Sequence, residues 1–182
     1  MKSALILIDI QNDYFPGGAM ELTGMTQAAA QAREVLAACR RNRRPIFHVQ
    51  HLALGPGAAF FRPDTVGVEI YESVRPLPGE ALIQKHYPNA FRETGLLEAL
   101  KNAGAEEVII CGAMSHMCID ATTRAAFDHG FKCTVIHDAC ASRDLAFEGL
   151  TIPAGHVHGA FMAALGMRYA RVIALTDFLG GL

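Results

Sequence analysis

The chain has 182 residues, 51% of them hydrophobic and 19% charged, with a formal net charge of -2. That length and balance suit one packed domain over residues 1–182 and exclude an extended disordered chain. Scattered Lys and Arg argue against a nucleic-acid surface, and five cysteines without regular spacing or a CxxC pair argue against a disulfide framework or a zinc ribbon.

The first apolar run, Ser3 to Ile8, reads as a buried strand. It begins almost at once, nothing before it reads as a signal peptide, and it is too short to cross a membrane. With reduced cysteines this makes a cytoplasmic protein the expectation. A loop containing Gly and Pro follows, then a helix from Thr26 to Arg41 with Thr26 as its cap. The basic run Arg40-Arg41-Asn42-Arg43-Arg44 reads as the solvated last turn of that helix, where cations complement the dipole. Pro45 to Gln50 is a second strand. The segment from Leu54 to Pro78 is rich in Gly and Pro and lacks periodicity, and loops of that length are commonly functional.

Ala81–Lys85 reads as a third strand, Thr94–Ala103 as a helix closed by Gly104, and Glu107–Cys111 as a fourth strand. A helix from Met117 to His129 ends at Gly130, and Phe131–His137 is a fifth strand. Pro153 opens a last helix to about Leu165, and Arg171–Leu175 closes the pattern as a strand. Strands alternating with helices predict a three-layer α/β/α fold with a mostly parallel, Rossmann-like sheet of about six strands. Ligands of such sheets bind beyond the carboxyl ends of the strands. No GxGxxG or GxxxxGK[ST] stands at a strand–helix turn, which argues against a nucleotide fold.

Three residues with chemistry fall at those carboxyl ends: Asp9, Lys85 and Cys118. Cys118 lies where a strand gives way to a helix, a place that favours an anion such as a thiolate. With Lys85 also favouring the thiolate and only Asp9 opposing it, a depressed thiol pKa is expected. The other four cysteines, Cys39, Cys111, Cys133 and Cys140, fall in apolar patterns and read as structural. His156 and His158 stand two apart on a helix, face different ways, and read as surface or packing residues.

The runs Leu7-Ile8-Asp9-Ile10-Gln11-Asn12-Asp13-Tyr14-Phe15, Lys85-His86-Tyr87-Pro88-Asn89-Ala90-Phe91 and Gly112-Ala113-Met114-Ser115-His116-Met117-Cys118 together resemble the isochorismatase-like cysteine hydrolases. That superfamily includes isochorismatases, nicotinamidases and N-carbamoylsarcosine amidases. The resemblance implies a catalytic triad of Asp9, Lys85 and Cys118. It also implies a cis peptide bond between Ala113 and Met114, and oxyanion donors in the backbone N–H groups of Met114 and Cys118. Phe15, Tyr87 and Phe91 are expected to wall a substrate pocket, with Phe60 and Phe61 open between pocket and ordinary loop packing. In nicotinamidases a metal site follows the second strand; the matching positions are His51 and Ala53, so the set is broken and no catalytic metal or other cofactor is expected. The implied function is hydrolysis of a small-molecule amide or carbamoyl compound through a thioester on Cys118, with Asp9 as general acid/base and Lys85 as its electrostatic partner. Two alternatives stand beside it: vinyl ether hydrolysis of the isochorismatase type, and a non-catalytic small-ligand-binding protein on the same fold. The expected partners are a small-molecule substrate and further copies of the chain, as a dimer or tetramer, with neither nucleic acid nor membrane.

Overall fold

The computed structural model describes residues 2–182. Strand β1 (Ser3–Ile8) is buried along its whole length, as its unbroken apolar sequence demands. It is followed by α1 (Met25–Arg41), β2 (Ile46–His51), β3 (Ala81–Lys85), α2 (Leu96–Asn102), β4 (Glu107–Ala113), α3 (Asp120–Asp128) and β5 (Lys132–Ala141). A hairpin of β6 (Leu145–Phe147) and β7 (Leu150–Ile152) comes next, then α4 (Ala154–Arg168), β8 (Arg171–Ile173) and α5 (Leu175–Gly180). Six strands form one parallel sheet in the order β3-β2-β1-β4-β5-β8. Helices α1 and α5 pack together on the sheet, and α3 packs with α4. Among the described residues no helix is long and apolar enough to cross a membrane.

From β1 the chain builds outward through β2 and β3, then returns to lay β4 on the other side of β1. The reversal leaves a crevice between the carboxyl ends of β1 and β4, the usual ligand position in a doubly wound sheet. Gly112 makes the close approach possible there. Its φ is +126°, and a Cβ at this position would collide with the Ile8 carbonyl.

The structure departs from the sequence reading in several places. Helix α1 begins at Met25 with Gly24, not Thr26, as its cap. Strand β5 runs on to Ala141, and the β6–β7 hairpin went unread. Its turn residues Glu148 and Gly149 both have positive φ, which fits the right-handed twist of a tight hairpin but lacks the usual Asn-Gly or Asp-Gly signature. Leu175 does not end the last strand; it starts α5. Nor is the basic run simply solvated: Arg40 forks onto Glu80 at 2.7 and 2.8 Å, Glu80 also accepts from His48 Nε2 at 2.8 Å, and Arg44 lies over the Phe178 ring. These contacts tie the end of α1 to β2 and to the approach of β3.

Gly112→Ala is expected to cost about 3 kcal/mol or more, because the new methyl must push two central strands apart. For a chain of this size that lowers the melting temperature by roughly 6–12 °C. Differential scanning calorimetry checks it, and an unchanged melt would mean that β1 and β4 are not held this closely.

Candidate active site

Parallel register brings the site together. His51 pairs with Lys85 across β2 and β3, Ile8 pairs with Val49 and with Gly112, and Asp9 is the next residue after Ile8. Asp9 turns the chain with φ at +53°, a left-handed conformation that aspartate tolerates better than most side chains. Asp9 and Lys85 are 0% exposed and Cys118 is 4% exposed. Lys85 Nζ lies 2.7 Å from Asp9 Oδ2, 3.2 Å from Cys118 Sγ and 2.8 Å from His51 Nδ1. Asp9 Oδ1 is buried without a hydrogen-bond partner among the described residues.

Beyond β4 the peptide bond between Ala113 and Met114 is cis. A single π-helical turn, Ser115–Ile119, carries Cys118 and leads into α3. Such turns are rare and recur at functional sites. Met117 and Ile119 both donate their N–H groups to the Met114 carbonyl. Ser115 pins the turn from below: its Oγ donates to the Ala141 carbonyl at 3.0 Å and meets His158 Nδ1 at 2.8 Å. His158 is therefore a packing residue with a defined partner. His116 Nδ1 meets Ser142 Oγ at 2.8 Å and braces the same turn against the end of β5.

Three successive polar side chains strap the long Gly/Pro-rich segment over the strand ends. Gln11 donates to the carbonyls of His51 and Val68 at 2.9 and 2.7 Å and accepts the His51 N–H at 2.8 Å. Asn12 donates to the Val66 carbonyl at 2.8 Å, and Asp13 accepts the N–H groups of Ala19 and Phe61 at 3.2 and 2.6 Å. In the sequence these residues stand within a motif, with no task of their own visible. Their task is to satisfy buried backbone groups in a segment that has almost no secondary structure of its own.

These observations, a doubly wound sheet with a buried Asp–Lys–Cys cluster at its switch point, agree with what comparison finds. The Isochorismatase domain model matches residues 3–161. The chain belongs to the isochorismatase family. It is 52% identical over 179 residues to the isochorismatase family protein YddQ of Bacillus subtilis, covering 98% of this chain and 99% of that one. It superposes with a TM-score of 0.96 on an isochorismatase hydrolase homologue from Oleispira antarctica, at 46% identity, covering 99% and 97% of the two chains. A maleamate amidohydrolase of Pseudomonas putida is 28% identical over 156 residues, 78% of this chain and 73% of that one. The protein is thus a hydrolase of the isochorismatase family.

Its electrostatics correct one expectation. The Cys118 thiol is not depressed but pushed well up, by burial first and by the Asp9 carboxylate second, with Lys85 only partly opposing them. Burial also works against the Lys85 ammonium, yet Asp9 and Cys118 outweigh it and hold its pKa above the ordinary value. Burial, reinforced by Lys85, brings the His51 imidazole down to about 4. The neutral sum explains the pattern: one carboxylate, one ammonium and one thiol carry no net charge, whereas a thiolate would leave a buried excess anion.

Each of the expected wall residues has packing partners of its own. Phe15 is buried and stacks on Tyr71 with ring centroids 3.5 Å apart. Tyr87 has one face covered by Arg92 at 3.6 Å. Phe91 packs against His129 and Phe131, past the end of α3 remote from Cys118, because Thr122 accepts the Ala90 N–H and draws that loop down the helix. Phe61 is fully buried against Tyr14 and lies 5.9 Å from the His51 ring. The sequence left Phe61 open between pocket and loop packing, and Tyr14 stood there only within a motif, directly after the strap residues.

A metal does not fit this cluster. Ala53 offers no ligand atom. Ligand atoms of Asp9, His51 and Cys118 do lie within 4.8 Å of one another. Each of those residues, however, places an atom within 3.2 Å of the Lys85 ammonium, and a dication there would be pressed against that charge.

The raised thiol makes two opposite substitutions diagnostic. A thiol with a raised pKa holds less thiolate at neutral pH than a free cysteine and alkylates more slowly. Removing the carboxylate with Asp9→Asn lowers that pKa and speeds iodoacetamide alkylation of Cys118; removing the ammonium with Lys85→Met raises it and slows the reaction. Peptide mass spectrometry against pH reads both rates, and equal changes in the two variants would mean that access, not charge, controls this thiol.

Proposed function

We propose that the protein hydrolyses a small-molecule amide or carbamoyl compound through a thioester on Cys118. One observation carries the reading: Lys85 Nζ stands within 3.2 Å of both Asp9 and Cys118, and all three side chains are withdrawn from solvent. The similarity to a maleamate amidohydrolase supports an amide as the bond broken.

The chemistry follows from the charges. Asp9, with a free buried oxygen, takes the thiol proton as sulfur attacks the carbonyl carbon, so the thiolate never accumulates. Lys85 holds both partners while the proton moves from one to the other. In this reading the backbone N–H groups of Met114, just after β4, and of Cys118, in the π-helical turn, receive the developing oxyanion. Asp9 then passes its proton to the departing amine, leaving a Cys118 thioester and a free carboxylate. That carboxylate activates water, which adds to the thioester and releases the acid, and the proton returns to sulfur.

Cys118→Ala is expected to remain folded and to lose turnover by at least about a thousandfold on whichever substrate an ammonia-release panel of carboxamides and carbamoyl compounds identifies. Asp9→Asn is expected to lose between about a hundredfold and ten-thousandfold. Acid quench of the wild type during turnover should show the mass of an acyl group on the Cys118 peptide. A folded Cys118→Ala protein with near-normal turnover would falsify the covalent route.

A further inference from the structure

All the hydrogens of the Lys85 ammonium have acceptors. Nζ lies 2.7 Å from Asp9 Oδ2, 2.8 Å from His51 Nδ1 and 3.2 Å from Cys118 Sγ. An ammonium has three N–H donors and no more, so none is left for a substrate. Asp9 and Cys118 have work in the proposed hydrolysis. His51 has none, although it is the third point of the cage.

We propose that His51 is a positioning residue: its Nδ1 lone pair takes the third hydrogen of Lys85, which fixes the ammonium between Asp9 and Cys118 and locks the imidazole as its Nε2–H tautomer. The assignment rests on the hydrolytic reading for its consequence but not for its geometry. Two acceptors on one side would draw the nitrogen toward them. A third acceptor from the neighbouring strand end holds Nζ at one place between the carboxylate and the sulfur while the proton crosses.

The surroundings are built for this. His51 ends β2 opposite Lys85 in register, so the two side chains leave neighbouring strand ends. Its backbone is held from both sides by the one amide of Gln11, which accepts its N–H and donates to its carbonyl. Its ring is flanked by Phe61, itself fixed by Asp13. A neutral imidazole is required, since a protonated one has no lone pair to offer, and burial beside Lys85 keeps it neutral at ordinary pH. The strap residues Gln11 and Asp13 thereby reach the reacting groups through His51.

The first test needs no turnover. In protein labelled with ¹⁵N-histidine, long-range proton–nitrogen correlations distinguish the two tautomers, and His51→Gln identifies the His51 signals by their loss. At neutral pH the wild type should show a pure Nε2–H pattern for His51. An Nδ1–H pattern, or an even mixture, overturns the proposal whatever the enzyme's substrate proves to be. The second test is kinetic. His51→Gln keeps an acceptor and should retain kcat within about tenfold, whereas His51→Leu keeps the bulk without the acceptor and should lose about a hundredfold, as expected for a lost hydrogen bond to a charged group, with KM little changed. Equal losses in both variants, or a loss confined to KM, would show that His51 does not act through Lys85. If Cys118→Ala were active, the hydrolytic reading would fail while the tautomer pattern still decided the His51–Lys85 bond.

Discussion

Burying a lysine ammonium is costly, and the rest of this site can be understood as the means by which one chain accomplishes it. A lone buried charge is penalised heavily, and an ion pair offsets that penalty only with close geometry and with its remaining hydrogens satisfied. Lys85 meets both conditions at 0% exposure, with a carboxylate, an imidazole and a sulfur around it. Meeting them takes groups from the ends of β1, β2 and β3 and from the turn after β4. The sheet order β3-β2-β1-β4 is the arrangement that makes those four ends neighbours. A different winding of the same strands would leave Lys85 without its carboxylate.

The strap over the strand ends has an electrostatic as well as a structural consequence. Gln11, Asn12 and Asp13 hold a segment of little regular structure against the sheet edge through five hydrogen bonds to its backbone and to the end of β2, counting His51, Val68, Val66 and Phe61 as the partners. The Asp9, Lys85 and Cys118 side chains beside these strand ends are buried, and charges interact more strongly where water is scarce. This is why the thiol sits above its ordinary pKa while the neighbouring ammonium also sits above its own. The cluster prefers to be neutral as a whole. In the proposed chemistry the proton moves from sulfur to Asp9 only as sulfur forms a bond, so the buried charge stays balanced from the resting state to the thioester.

Much of this was readable from the residues and some was not, for reasons that differ from place to place. Buried parallel strands announce themselves as continuous apolar runs, so β1 and β4 were plain. The edge strand β3, with alternating exposure, was legible because Lys85 closes it. Short elements carried weaker signals. The hairpin turn Glu148-Gly149 is an uncommon pair for its geometry, and the apolar run into Leu175 hides the point at which strand becomes helix. Within the site, Asp9, Lys85 and Cys118 stood out because their chemistry is visible in their type. His51 and Gln11 did not, because their importance lies in which atom meets which. Phe91 stands close to Lys85 in sequence yet packs on His129 and Phe131, with the loop between them bonded to Thr122, and such packing is not visible in a sequence.

The division between charge and shape in this molecule bears on where its selectivity resides. In the proposed reaction the Asp9–Lys85–Cys118 arrangement meets only a carbonyl and a leaving group that accepts a proton. Its groups are fully engaged with one another, and Lys85 has no hydrogen free for a distant substituent. In that proposal, selectivity falls to groups around the cluster, among them the segment that Gln11, Asn12 and Asp13 hold in place. Those contacts are made by backbone in an irregular stretch, so residues facing outward from it can change without disturbing the bonds that fix it. On the proposed reading such a fold keeps its reaction while outward-facing residues of that segment change, because the hydrogen bonds that fix the segment run to its backbone.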